Sequence, residues 1–457
     1  MERLTAGEAE VLARRAAASL RRLGVRRGER VVILVPAPGD HADESARLAA
    51  AGIQRDVMAL AFGALRAGIV PVMINPALTP DEREPLVADA SASMVIDHPA
   101  KLRALLDGTS GEDEIGELPL ARPVHYTSGT TGRAKGVWTG LLSEDDARLV
   151  WWDDIDAWQL SEDDVMLTHG PLAHSAPLRF SLATLLAGGT VILPGWFDAT
   201  AFARALAEER PTVAFAVPTH LQRLFALPGG VPSSPYRLLI HAGSACPPSL
   251  KRRIHEWAGV ERTVEFYGAT EGQFSLCRGE EWEERPGTVG RARAGRRLRV
   301  DDGVIWCAPP SWSTFEYWGD PVKTAAAWRT GADGAPEFSV GDLGYLDDDG
   351  YLFLRGRRDD LVISGGVNVY PDEVEAVLLS CPGVEQVAVF GVTDEKWGQR
   401  VCAGVVGSAT EGEVRAWAEQ RLAGYKRPKE YYRLEDLPRT ESGKVRRLAI
   451  PGTLGLE

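Results

Sequence analysis

Apolar positions along the chain alternate between two spacings. Residues 7–23 recur at helical intervals, and "ERVVILVPA" (29–37) then reads as a short buried strand. "RDVMALAFGALRAG" is helical and ends at Gly68, before the strand-like "IVPVMI". "EREPLVADASA" and "SMVID" repeat the sequence of helix then strand. So do "FARALAEERPTVAFAVP" and "SLKRRIHEWAGVERTVEFYG". Helices alternating with Val/Ile-rich runs predict a layered α/β fold. The stretch "PGDHADESARLAAAGIQRD" (38–56) reads as an insertion, and 103–122 as an acidic surface loop. No fixed-period repeat is visible, which argues against a solenoid.

The pattern changes near residue 355. "DDDGYLFLRGRRDDLVISGGVNVYP" is turn-rich and charged. Beyond it a helix (PDEVEAVLLS), two strands (VEQVAVFGV, VCAGVVG) and a second helix (EGEVRAWAEQRLAG) form a self-contained α+β segment. The expected organisation is a large N-terminal multi-sheet α/β domain over 1–356, a hinge at 357–360 and a small C-terminal α+β domain over 361–457.

Composition narrows the function. With 44% hydrophobic and 25% charged residues in 457, the chain reads as globular. A net charge of −13 argues against sequence-independent nucleic-acid binding, which needs a basic face. The five cysteines include no CxxC pair, which suits a reduced compartment and not a zinc cage. The charged N-terminus lacks a signal-peptide core. The longest apolar run is broken by Arg66, Gly68 and Pro71, short of the roughly 18 clean apolar residues of a membrane span. A cytoplasmic protein is expected, its oligomeric state open.

The chemistry begins at "HYTSGTTGRAKGVW" (125–138), which packs small hydroxyls and glycines beside Arg133 and Lys135. Glycines let backbone amides approach an anion closely, and hydroxyls add donors. A Gly/Ser/Thr linker would have the same composition. Here strand-like "PVHY" precedes the run and apolar "GVW" follows it, which disfavours a linker. The spacing is not GxxxxGK[ST], so this is not the loop of P-loop NTPases.

The run resembles the phosphate loop of the adenylate-forming superfamily: acyl-CoA synthetases, aryl-acid ligases, adenylation domains and luciferases. "EFYGATEG" (265–272), "SVGDLGYLDDDGYLFLRGRRDD", "SGGVNVYPDEVE" and "PRTESGKVRR" resemble further motifs of that family, in its order. The resemblance implies an ATP-dependent ligase. A carboxylate attacks the α-phosphorus of ATP to give an acyl-adenylate and pyrophosphate, and the acyl group then passes to the thiol of CoA. Catalysis would rest on positioning and electrostatic compensation.

By the same resemblance, Thr127, Ser128, Gly129, Thr130, Thr131 and Gly132 wrap the outer phosphates, with Lys135 adding charge. Glu271 is the implied Mg²⁺ ligand and Thr270 an α-phosphate donor. A hard cation bridging phosphates needs few protein carboxylates. Tyr267 and Gly268 face adenine on one side and Gly243, Ser244 and Ala245 on the other. Asp342 accepts the ribose hydroxyls, with Arg357 as a second contact. Lys444 bridges the reacting carboxylate and α-phosphate. Asp359 is the implied hinge residue of a mobile C-terminal lid. Ser364, Gly365 and Gly366 line a thiol tunnel.

"PLAHSAPLRF" (171–180) resembles the acyl-pocket segment, with His174 as wall or gate. It has His174 and Ser175 where amino-acid-adenylating relatives place an aspartate, which disfavours an amino acid. Asp198 reads as a helix N-cap instead. The expected substrate is an aryl or hydrophobic acid. Trp151 and Trp152 are candidates for shaping an aromatic pocket. CoA is the leading acceptor. A free-standing carrier protein, or amide or N–N bond formation, is the alternative, and a non-catalytic nucleotide-binding relative the reading from another class. Ala134 and Val340 depart from the family pattern, away from the catalytic positions.

Overall fold

The computed structural model of the protein describes residues 1–35, 44–108, 115–127, 135–357, 360–364, 367–394, 397–440 and 443–456. By packing, the chain divides into two compact units. The first comprises Met1–Glu284, Arg293–Arg296 and Ala308–Phe338; the second comprises Arg285–Ala292, Arg297–Cys307 and Ser339–Glu457. The expected limit at 357–360 concerns motion, which packing alone does not test.

Two sheets dominate the first unit. In one, the strands run in the order Glu2–Thr5, Thr190–Leu193, Val165–Thr168, Val213–Ala216, Leu238–His241, Thr263–Gly268, Gln273–Arg278. From Thr190–Leu193 to Thr263–Gly268 neighbours are parallel, and the two outer pairings are antiparallel. The parallel strands are apolar almost throughout, as burial on both faces requires. The second sheet has the order Glu316–Tyr317, Lys135–Trp138, Val124–Thr127, Val70–Met73, Arg30–Ile33, Met94–Ile96. The Ala6–Arg22 helix starts from a capping box, in which Thr5 and Glu8 satisfy each other's backbone amides.

Three expectations need correction. Most of the supposed insertion 38–56 is helix: Glu44–Arg66 is continuous, and Ala50, Ile53, Val57 and Met58 belong to the core. That helix has the length and apolarity to cross a bilayer, but 72% of its apolar window is buried inside the protein. At Gly63 it meets the Ala6–Arg22 helix so closely that a Cβ would lie 2.3 Å from Ala13 O, so only glycine fits. The acidic loop 103–122 is also partly structured. Its start closes the Pro99–Leu106 helix, which buries Leu102, Leu105 and Leu106, while 109–114 lie outside the described residues. Third, Trp151 is a core residue and Trp152 faces solvent at 54% exposure, so the two do not form a shared aromatic wall.

In the second unit a sheet of Val367–Val369, Val362–Ser364, Gly398–Gly407 and Val384–Asp394, joined by Glu430–Arg433, packs under the Pro371–Leu379 and Glu411–Arg421 helices. Strands Asp342–Leu346 and Leu352–Arg357 form an antiparallel pair in the same unit.

Candidate active site

Antiparallel pairing of Val124–Thr127 with Lys135–Trp138 sets Thr127 opposite Lys135. The Thr127 hydroxyl donates to the Lys135 carbonyl at 3.5 Å. The segment between them, carrying Ser128, Gly129, Thr130, Thr131 and Gly132, lies outside the described residues. Beyond Lys135–Trp138 the sheet continues to Glu316–Tyr317, which brings Tyr317 opposite Val137. The Lys135 ammonium lies 4.9 Å from the centre of the Tyr317 ring, and the phenol donates to Glu271 Oε1 at 2.8 Å. One tyrosine thus touches both ionic side chains. A cavity of ≈ 450 Å³ is lined by Tyr317, Asp320, Thr324 and Trp328, among others.

Glu271 and Thr270 occupy the tip of a tight hairpin between Thr263–Gly268 and Gln273–Arg278. Ala269 N–H donates to Gly272 O at 2.8 Å, and Gly272 N–H returns a bond to Ala269 O at 3.2 Å. A Cβ on Gly272 would stand 2.8 Å from Phe338, so the turn depends on glycine. Among the described residues no group of three or more His, Cys, Asp or Glu could hold a metal. A lone carboxylate suits Mg²⁺ whose remaining ligands are phosphate and water, and Glu271, bonded to the tyrosine whose ring also meets Lys135, fits that role.

The other nucleotide candidates follow neighbouring strand ends. Gly243, Ser244 and Ala245 come directly after Leu238–His241, and Tyr267 and Gly268 end the adjacent parallel strand. Tyr267 is buried, its ring 4.8 Å from that of Phe274. Beneath these ends Lys251, 1% exposed, donates to His241 Nε2 at 2.6 Å and to Glu265 Oε2 at 3.0 Å. Burial first, then Lys251, holds the His241 imidazole far below its ordinary pKa, so it accepts as a neutral ring. This network ties the two strands that carry Gly243 and Tyr267.

His174 is the N-cap of the Ser175–Leu186 helix, and its ring makes no capping hydrogen bond. The turn before it is fixed by His125, whose Nδ1 lies 2.8 Å from Ala173 O. Burial lowers the His125 pKa to about 4, so the ring is neutral and donates. Asp198 caps the Ala199–Glu208 helix, accepting from Ala201 N–H at 2.7 Å, as expected.

Deeper along the Ser175–Leu186 helix lies a feature with no counterpart in the motifs. Asp154 takes Arg179 Nε at 3.1 Å and Arg293 Nη2 at 3.1 Å. Asp153 takes Arg293 and Arg296, each at 3.0 Å. Arg122 adds to the field on Asp154. Burial pushes the Asp154 carboxyl up, but Arg179, Arg293 and Arg122 together hold it below the usual range.

Within the second unit, Asp342 pairs directly with Arg357 across the antiparallel strands. This brings the two ribose candidates together at backbone level. Ser364 is buried at a strand end, opposite Gly398. Lys444 is exposed on a short hairpin: its carbonyl accepts from Thr440 N–H at 2.7 Å, and Arg439 bridges to Val445. Arg447 gathers Asp360, Asp372 and Glu375. Asp359, Gly365 and Gly366 lie outside the described residues.

Residues 123–304 match the AMP-binding enzyme family, and residues 373–444 its C-terminal domain. The protein is 31% identical to a long-chain-fatty-acid–CoA ligase of Mycobacterium tuberculosis over 97% of this chain and 92% of that one. The chain belongs to the AMP-binding, adenylate-forming enzymes. A feruloyl-CoA synthase of Amycolatopsis is 34% identical, over 97% of this chain and 92% of its own. The o-succinylbenzoate CoA synthetase of Bacillus subtilis, solved with its acyl-adenylate, superposes with a TM-score of 0.81 at 26% identity, covering 97% of this chain and 92% of that one.

In this AMP-binding enzyme three side chains escaped the motif reading. Tyr317 sits in no motif, and only the sheet brings it to Glu271. Gln273, two residues past Glu271, is 4% exposed, and neither side-chain polar atom has a partner among the described residues. Arg179 stood inside the segment already singled out. A charged residue within an otherwise apolar helical run was its signal.

Proposed function

We propose that the protein activates an aryl or otherwise hydrophobic carboxylic acid and delivers it to CoA, with Glu271, Lys135 and Tyr317 forming the phosphate end of the site. The enzyme is an AMP-forming acid–thiol ligase of the acyl-CoA synthetase type, using ATP and Mg²⁺. A carboxylate oxygen attacks the α-phosphorus and expels pyrophosphate. The thiol then attacks the acyl carbon and expels AMP.

Each residue role follows from charge. The attacking carboxylate and the triphosphate repel one another, so the chain must supply fixed positive charge and donors without rearranging. Lys135 supplies one such charge at the phosphate loop, held beside the Tyr317 ring face. Lys444 supplies a second, at the carboxylate and α-phosphate, from a compact ammonium on a flexible stem. Bound Mg²⁺ neutralises phosphate oxygens, and Glu271, oriented by the Tyr317 phenol, would hold it. Asp342 and Arg357 take the ribose, and Tyr267 and Gly243 to Ala245 the adenine. Asp359 serves as the hinge, and Ser364 with the two glycines after it lines the route of the thiol.

The observation that carries this reading is the meeting of Glu271 and Lys135 at one tyrosine, next to the strands that flank the glycine-rich run. The ligases named above bear on the substrate too: one takes a long-chain fatty acid, another forms a feruloyl thioester. A carrier-protein thiol remains the second acceptor.

ATP–pyrophosphate exchange across aryl, fatty and dicarboxylic acids tests the first half-reaction, and CoA consumption with the best responder tests the second. Exchange that requires an acid, followed by loss of free thiol, is expected. ATP turnover indifferent to every acid would overturn the proposal.

A further inference from the structure

The cluster around Asp153 and Asp154 is not balanced. Four guanidinium groups, those of Arg122, Arg179, Arg293 and Arg296, face two carboxylates, which leaves two positive charges unmatched among the described residues. Arginine stays protonated at neutral pH even when buried. Burial lowers the Arg179 pKa only to about 10. An unmatched buried charge is expensive unless something compensates it.

Two atoms mark where compensation is missing. Arg179 Nη2 and Arg293 Nε are both buried, and neither has an acceptor among the described residues. Arg293 is only 4% exposed. Between Pro177 and Leu185 every residue of the helix is buried except Arg179, whose side chain keeps 17% exposure. Ser175 and Ala176, four and three residues earlier, also keep partial exposure. These positions share one face of the helix. An accessible strip therefore runs from the helix start, at the carboxyl edge of the parallel strands, about one turn down to Arg179. Helical side chains lean toward the N-terminus, so Arg179 leans back toward that edge.

We propose that Arg179, supported by Arg122, is a specificity-determining residue that receives a second carboxylate at the far end of the acid. The substrate is then a dicarboxylic acid with a hydrophobic or aryl body: one carboxylate is adenylated and the other is held by guanidinium. Asp154 fixes Arg179 through Nε and leaves the Nη edge to the ligand. Guanidinium suits this partner because its planar fork matches a carboxylate, and such charge-assisted bonds are about twice as strong as neutral ones. This inference rests on the proposed adenylation reaction.

The test is exchange kinetics on matched acids: each dicarboxylate, its half-methyl ester, and the monocarboxylate of the same skeleton. The wild-type enzyme should show a KM at least about tenfold lower for the diacid than for either partner, with little change in kcat. Arg179→Met should bring that ratio close to one, and Arg179→Lys should restore part of it. If a variant does not fold, the wild-type ratios decide the matter alone. Exchange that persists while half-esters or monoacids match or exceed the diacids overturns this inference and leaves adenylation standing. Exchange with no acid at all overturns both.

Discussion

At Tyr317 a carboxylate and an ammonium share one phenol; around Asp154 four guanidiniums crowd two carboxylates. The two regions belong to the same unit and handle charge oppositely. The first, the proposed phosphate end, gathers a few partly exposed groups, Glu271 and Lys135, that can meet a solvated polyanion with little desolvation. The second, the proposed acid end, holds its cations around the Glu144–Trp158 and Ser175–Leu186 helices, with Trp158 and Phe180 packed close by. Charge there costs more to keep and discriminates more sharply between ligands, because an unpaired group in a low-dielectric site is penalised heavily.

Perturbing the acid end should cost the fold first. Asp154→Ala leaves Arg179 and Arg293 without their shared partner, and about 3–5 kcal/mol of stability should be lost in denaturant unfolding. A loss under 1 kcal/mol would mean that the cluster is already solvated and the contrast between the two ends false.

Charges at the phosphate side should instead cost rate. Lys444→Ala and Glu271→Gln are each expected to slow adenylation by about 10²–10³-fold, the range for removing one fixed group from a developing charge. The unfolding midpoint should hardly move. Binding of ATP to the lysine variant, measured by calorimetry, should stay close to wild type.

Acidity separates the ends next. His125, beside the acid-end helix, is neutral in the fold with a pKa of about 4 against an ordinary 6.5. The unfolded chain therefore takes up the proton first, and stability falls as pH drops from about 6.5 through 4. The full difference is roughly 3 kcal/mol for this ring. His125→Gln should flatten that part of the stability–pH curve, and an unchanged slope would remove the ring from the account.

The smallest expected change is at Tyr317→Phe. Without its hydroxyl, Glu271 loses one donor, and adenylation should fall about tenfold with a raised Mg²⁺ requirement. No change in Mg²⁺ dependence would separate Tyr317 from metal binding.

What could be read from the sequence follows the same division. Thr127, Lys135, Thr270 and Glu271 lie in short runs that resemble motifs of the family, so the sequence alone is enough to propose them as site residues. The α/β alternation was equally plain, because parallel strands buried on both faces must be apolar. The first half of the Glu44–Arg66 helix is hard to read because its opening, "ESARLAAAG", has a single large apolar residue, and packing of Ala50 and Ala51 against Gly195 is what fixes it. The arginine cluster was invisible. Residues 122, 153, 154, 179, 293 and 296 come together only through tertiary structure, and alone all but Arg179, which stands in an apolar helical run, look like surface charges. Tyr317 is hidden for the same reason: antiparallel pairing with Lys135–Trp138, about 180 residues away in sequence, is what carries it to Glu271.

The central claim is that the acid's own oxygen attacks the α-phosphorus. Its most direct test is to run the complete reaction with acid labelled with oxygen-18 in its carboxyl group and to weigh the products. The account predicts one heavy oxygen in AMP, one retained in the thioester, and none in pyrophosphate. Unlabelled AMP, or label appearing in pyrophosphate or inorganic phosphate, would contradict it.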